Sequence, residues 1–99
     1  MKRVLIANRG EIALRIVRAA RALGIESVLG ASAADRESLA AREADRTVIL
    51  GPAKASASYL NPELIVHAAR ATGCDALHPG YGFLSERAGL ARLCETHDI

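Results

Sequence analysis

Val4, Leu5, Ile6 and Ala7 form an unbroken apolar run near the start of the chain, and no other feature restricts the fold as much. A strand with one wet face alternates apolar and polar residues. A run without alternation needs cover on both faces, as a central strand of a parallel sheet has. The next apolar pattern changes period. Between residues 11 and 23, Ile12, Ile16, Ala19, Ala20 and Leu23 recur at three- and four-residue steps, which predicts an amphipathic helix with that stripe toward the core. Gly24 ends it. Glu11 suits the positive end of the helix dipole and can pair with Arg15 one turn on.

The strand-then-helix unit recurs. A strand is expected at 27–29, extending to Ala31, then a polar loop over 32–36 with Asp35 as a helix cap and a short helix over 37–43. A third strand at 47–50 stops at Gly51 and Pro52, and an alanine- and serine-rich stretch follows. Asn61-Pro62-Glu63 is a helix start: a capping side chain, a proline whose missing donor costs nothing there, and an acid in the first turn. Leu64, Ile65, Ala68 and Ala69 give that helix its inward face, Gly73 closes it, and a strand at 75–77 and a last helix over 85–95 complete the pattern. Four strands alternating with four helices predict an α/β fold: a Rossmann-like parallel sheet with helices on both faces, in one domain spanning residues 1–99. At this length about two thirds of the unfolded surface is buried. Of the 51% apolar residues, 20 are alanine and only three residues are aromatic, so the core must be fine-grained.

Several functions are disfavoured. With 13 basic and 11 acidic residues spread along the chain, no block calls for a polyanionic partner. Arg9, Arg15, Arg18 and Arg21 on one helix have no aromatic platform beside them, and fit a solvated or subunit-facing surface better than a nucleic-acid contact. Cys74 and Cys94 lie too far apart for a CxxC motif and read as free thiols, and His67 has no second ligand at helical spacing, so no metal site is expected. No targeting leader or membrane-length apolar run is visible, and a cytoplasmic protein without membrane contact is expected. The first turn, Asn8-Arg9-Gly10-Glu11-Ile12-Ala13, offers one glycine where a dinucleotide pyrophosphate needs three, and puts a carboxylate at the helix start. No GxxxxGK[ST] loop occurs.

The candidate site lies at strand carboxyl ends, where ligands gather in such sheets. One loop is Asn8 to Gly10. The other, His78-Pro79-Gly80-Tyr81-Gly82-Phe83-Leu84-Ser85-Glu86, holds two of the three aromatic residues. Pro79 fixes one φ, and Gly80 and Gly82 bracket Tyr81, which suits either a binding loop whose backbone approaches a ligand or a tight turn with a packed tyrosine.

Taken together, IANRGEIALRI, ADR, LGP at 50–52, SYL at 58–60 and HPGYGFLSE closely resemble the amino-terminal domain of biotin carboxylase, the ATP-dependent component of acetyl-CoA, propionyl-CoA and pyruvate carboxylases. The resemblance covers essentially the whole chain. It implies a pre-ATP-grasp domain that is noncatalytic alone, within a ligase that converts ATP and bicarbonate to carboxyphosphate and carboxylates biotin on a carrier protein. It further implies that Tyr81, Gly80 and Gly82 form a wall of the biotin and bicarbonate pocket, with Asn8, Arg9, Gly10, His78, Phe83 and Glu86 supporting the loop or the inter-domain junction. A phenol that titrates near ~10 suits packing and hydrogen bonding better than proton transfer at neutral pH. ATP, Mg2+ and biotin would be cofactors of the complete enzyme, with none bound by this part alone. Its partners would be the ATP-grasp and C-terminal domains, the biotin carboxyl carrier protein and the carboxyltransferase.

Some positions depart from the family pattern. Gly30-Ala31-Ser32 stands where larger side chains usually end the second strand, and Arg87 and Gly89 follow the SE pair. Arg18 matches a dimer-contact arginine of bacterial relatives, but Ala22 stands where its acidic partner would be. The residues Glu95 to Ile99 read as an exit toward a further strand, so the chain is expected to be a piece of a longer protein that self-associates in isolation. Two alternatives remain beside the resemblance: a free-standing Rossmann-like binding or interaction module, and the first domain of another ATP-grasp ligase.

Overall fold

The strand β1 (Arg3–Ile6) lies inside a four-stranded sheet of order β3-β2-β1-β4, paired on one side with β2 (Glu26–Ser32) and on the other with β4 (Ala76–His78). All three pairings, including β2 with β3 (Arg46–Gly51), are parallel. The computed structural model describes residues 1–52, 54, 58–80, 88–97 and 99.

The unbroken apolar run has the double cover it requires. Leu5 packs with Val28, Leu50, Tyr59 and Ile65 on one face, whereas Val4 and Ile6 pack with Ala13, Val17 and Leu29 on the other. The second face is roofed by α1 (Gly10–Ala22) and α2 (Leu39–Glu43), the first by α3 (Pro62–Ala71) and α4 (Ala88–Thr96). Short parallel strands cannot be joined by hairpins, so each connection crosses over through a helix. Both long helices stop as expected. The backbone turns left-handed at Gly24 (φ 71°), and the Ile25 N–H donates back to the Ala20 carbonyl at 2.9 Å, closing α1. At the start of α3 the Asn61 side chain accepts from Leu64 N at 3.2 Å, with Pro62 in the first turn.

Four expectations need correction. The α1 stripe is rotated: Ala13, Val17 and Ala20 are the buried residues, Ile12 and Ile16 are half-buried, and Ala19 and Leu23 are exposed. Small residues let the helix approach the sheet, and the bulkier isoleucines flank the contact. Asp35 does not cap α2; it ends a short 3-10 turn (Ala33–Asp35), and the Ser38 hydroxyl caps α2 by accepting from Ala41 N at 3.2 Å. The Asp35 carboxylate is engaged instead by Arg9, Tyr59 and Ser32. No ion pair joins Glu11 to Arg15 among the described residues; Arg18 and Arg21 instead reach Glu43 at the end of α2. Finally, β2 runs seven residues rather than three to five, because it is paired on both sides. Gly30 fits there because Leu50 fills the space a side chain would take, with its carbons 3.1–3.3 Å from where a Cβ would stand. Smaller shifts of one or two residues occur at β3 and β4, and the expected start of the last helix falls outside the described residues.

Candidate functional site

The carboxyl ends of β1 and β4 are tied together beyond their ladder. Ala7 N donates to the His78 carbonyl at 3.1 Å. The Asn8 side chain, only 2% exposed, then donates from Nδ2 to the Pro79 carbonyl at 2.7 Å while its Oδ1 accepts from Arg9 N at 2.8 Å. These two partners fix which end of the carboxamide is which. Gly80 is left-handed at φ 69°, and its N–H donates to His78 Nδ1 at 3.1 Å. A side chain at 80 would meet Asn8 Nδ2 and Ile12 Cγ2, each 2.8 Å from the Cβ position, so both backbone angle and space demand glycine. Of the residues expected at the site, Asn8, Arg9, Gly10, His78 and Gly80 therefore converge where β1 and β4 end. Gly10 opens α1 with φ 62° and open space around it. Tyr81, Gly82, Phe83 and Glu86 lie outside the described residues.

A second polar group, which sequence reasoning did not find, occupies the adjoining end of β2. Arg9 Nη2 bonds Asp35 Oδ1 at 3.0 Å. The other carboxylate oxygen of Asp35 accepts from the Tyr59 hydroxyl at 2.7 Å and from Ser32 Oγ at 2.9 Å. The phenol oxygen in turn accepts from the buried Ser32 N–H at 3.0 Å. Tyr59 is fully buried, and the Arg9 guanidinium carbon lies 6.0 Å from its ring centroid. Burial alone would push the Asp35 carboxyl up. Hydrogen bonds from Tyr59 and Ser32 and the Arg9 charge outweigh it and hold the group below the usual carboxylate range. Burial likewise pushes the Tyr59 phenol up. The sequence signal was a tyrosine whose polar tip needs a partner if buried, but 24 residues separate it from Asp35.

Elsewhere, a groove of about 410 Å3 runs between α1 and β4, lined by Val4, Ile16, Ala20, Ile25, Ala76 and Leu77 among others. Cys74 and Cys94 are free thiols, both raised by burial. His67 is exposed on α3. Among the described residues no group of three His, Cys, Asp or Glu side chains could hold a metal ion, and no helix is long and apolar enough to cross a membrane.

Comparison with known proteins decides the family. A family profile described as "Biotin carboxylase, N-terminal domain" matches residues 1–99. The chain belongs to that family. It is 55% identical over 99 residues to biotin carboxylase 1 of Bacillus subtilis (strain 168), covering all of this chain and 22% of that protein. It is 54% identical over 99 residues to the mitochondrial methylcrotonoyl-CoA carboxylase subunit alpha of Oryza sativa subsp. japonica, covering all of this chain and 13% of that one. Among solved structures, the urea carboxylase of Kluyveromyces lactis superposes with a TM-score of 0.96 at 44% identity, over 99% of this chain and 9% of that chain. The chain thus spans less than a quarter of the length of these relatives.

Proposed function

We propose that this biotin carboxylase domain forms one wall of the cleft in which a larger ligase uses ATP and bicarbonate to carboxylate biotin on a carrier protein. Tyr81, Gly80 and Gly82 line the biotin and bicarbonate pocket. Asn8, Arg9, Gly10, His78, Phe83 and Glu86 support that loop and the junction with neighbouring domains. The observation that carries this reading is the tie between the β1 and β4 carboxyl ends, where Asn8 holds the start of the HPGYGF loop. Family membership over the full chain supports it.

Magnesium does not fit the described rim. Its carboxylate, Asp35, is engaged by Tyr59, Ser32 and Arg9, and no metal-ligating cluster lies among the described residues. On this reading ATP and Mg2+ are gripped by the ATP-grasp portion of the enzyme, and this domain is noncatalytic by itself. Its partners are the remaining biotin carboxylase domains, the biotin carboxyl carrier protein and a carboxyltransferase, in the cytoplasm. Likeness to biotin carboxylase 1 at 55% identity and to a methylcrotonoyl-CoA carboxylase subunit at 54% supports the reading that the final acceptor is not written in this domain. The test is ATP-dependent transfer of labelled bicarbonate to free biotin by the full-length protein, with and without Tyr81→Ala. We expect incorporation that falls sharply in the variant; no incorporation by the wild type, or an unaffected variant, would refute the proposal.

A further inference from the structure

We infer that Asn8 is a positioning residue for the biotin half of the reaction, acting through the backbone of Pro79 and Gly80. The inference rests on the functional reading above and deepens it. Three observations converge on this side chain. It is almost completely buried, yet it sits at the end of a strand rather than in the apolar core. Its two polar ends serve different loops: Oδ1 holds the entry to α1 through Arg9 N, and Nδ2 holds the exit from β4 through the Pro79 carbonyl. It also stands 2.8 Å from where a residue-80 Cβ would lie, so the carboxamide and the glycine interlock.

That interlock sets a direction. Pro79 has no N–H to give to any ladder, so this turn is held through its carbonyl, on Asn8, and through the Gly80 N–H, on His78 Nδ1. With the Pro79 carbonyl pinned and Gly80 left-handed, Asn8 helps to set the backbone at residues 79 and 80, where the HPGYGF loop begins. The Arg9 side chain steadies the same junction from the other side, anchored on Asp35 and, through it, Tyr59. A donor lost at Asn8 therefore loosens the backbone at Pro79 and Gly80, where the loop proposed to meet biotin begins, while the sheet beneath keeps its core.

Asn8→Asp isolates this role. The aspartate keeps the acceptor for Arg9 N at nearly the same shape but replaces the donor facing the Pro79 carbonyl by an oxygen. In the full-length protein, two rates are compared: ATP-dependent carboxylation of free biotin, and bicarbonate-dependent ATP cleavage without biotin. The expected result is a KM for free biotin raised about tenfold, the factor that corresponds to ~1.4 kcal/mol, with a smaller loss in ATP cleavage. An unaltered biotin KM, or equal losses in the two reactions, would overturn the inference, because a merely structural role would not split them. Should N8D fail to fold by circular dichroism, Asn8→Ser, which buries no charge, is held to the same split and the same refuting results. A wild-type protein that carboxylates no biotin would remove the functional reading itself, a different outcome from an active wild type with an unaltered variant.

Discussion

Removal of one oxygen atom, in Tyr59→Phe, tests whether the rim of the sheet is held by its polar group or by packing alone. The ring keeps its apolar contacts with Leu5, Leu50 and Ile65, so no cavity of consequence opens. What goes is the acceptor of the buried Ser32 N–H and one donor to Asp35. A buried donor left without a partner costs about 1–3 kcal/mol, and a hydrogen bond to a charged group contributes about 1.5–3 kcal/mol. Asp35 keeps Ser32 Oγ and Arg9, which recovers part of the second amount. Neighbouring effects do not add fully, so the expected loss is about 2–4 kcal/mol, a fall in Tm of about 10–25 °C for a domain of this size. Urea unfolding followed by circular dichroism reads it. The pH dependence supplies a second check. Since the Asp35 pKa is lowered in the folded domain, the fold favours the ionised form; its contribution is present above the ordinary carboxylate value near ~4 and is lost as pH falls through the lower folded value. The gap between wild type and variant should thus be widest near neutrality and narrow below about pH 4. A loss under ~0.5 kcal/mol at neutral pH, or a gap that does not change with acid, would refute the reasoning.

Two further outcomes follow from other parts of the fold. Gly89 is the exposed second residue of α4, and an added Cβ there meets nothing within 4 Å. Gly89→Ala should therefore stabilise the domain by about 0.5–1 kcal/mol, read as a higher urea midpoint, and no gain would count against α4 beginning where it does. The isolated domain should self-associate, because among the described residues β4 is an edge strand paired only with β1, and the groove beside it runs to the exposed side chains of Met1 and Leu23. Sedimentation velocity should show mass rising with concentration; a clean monomer that binds no hydrophobic dye would sink the idea.

Periodicity made the sheet legible and with it two of the loops at its rim, but not the group that Asp35 and Tyr59 form there. Val4 to Ala7 required cover on both faces, and both core clusters provide it. Asn61-Pro62 and Gly24 marked helix ends because capping is local chemistry, decided within three or four residues. The α1 face was misjudged by a fraction of a turn because hydrophobicity weights Ile12 and Ile16 above Ala13 and Ala20, whereas close approach to the sheet favours the alanines. Asp35 was misjudged for a deeper reason. A polar residue ahead of a helix has several partners open to it, and the choice was made by Tyr59, which tertiary folding alone brings to it. Asn8 and Gly80 came together through the topology, since β1 and β4 are adjacent in the sheet but 70 residues apart in sequence.

On the proposed function, the rim serves its site by holding backbone rather than by reacting. A group that takes part in proton transfer is held ready, with its pKa moved toward neutrality and a lone pair or proton unengaged. Asp35 is moved the other way and is held by three side chains. Among the described residues no buried side-chain nitrogen or oxygen lacks a hydrogen-bond partner. Polar groups arranged toward one another in this way fix backbone angles, and low local dielectric strengthens each bond in the set. Asn8, Arg9, Asp35 and Tyr59 join the ends of β1, β2 and β4 into one frame. The sequence specificity of such a frame lies in side chains that meet backbone, which is why conservative exchanges at Asn8 and Tyr59, rather than losses of charge, are the perturbations that should tell most.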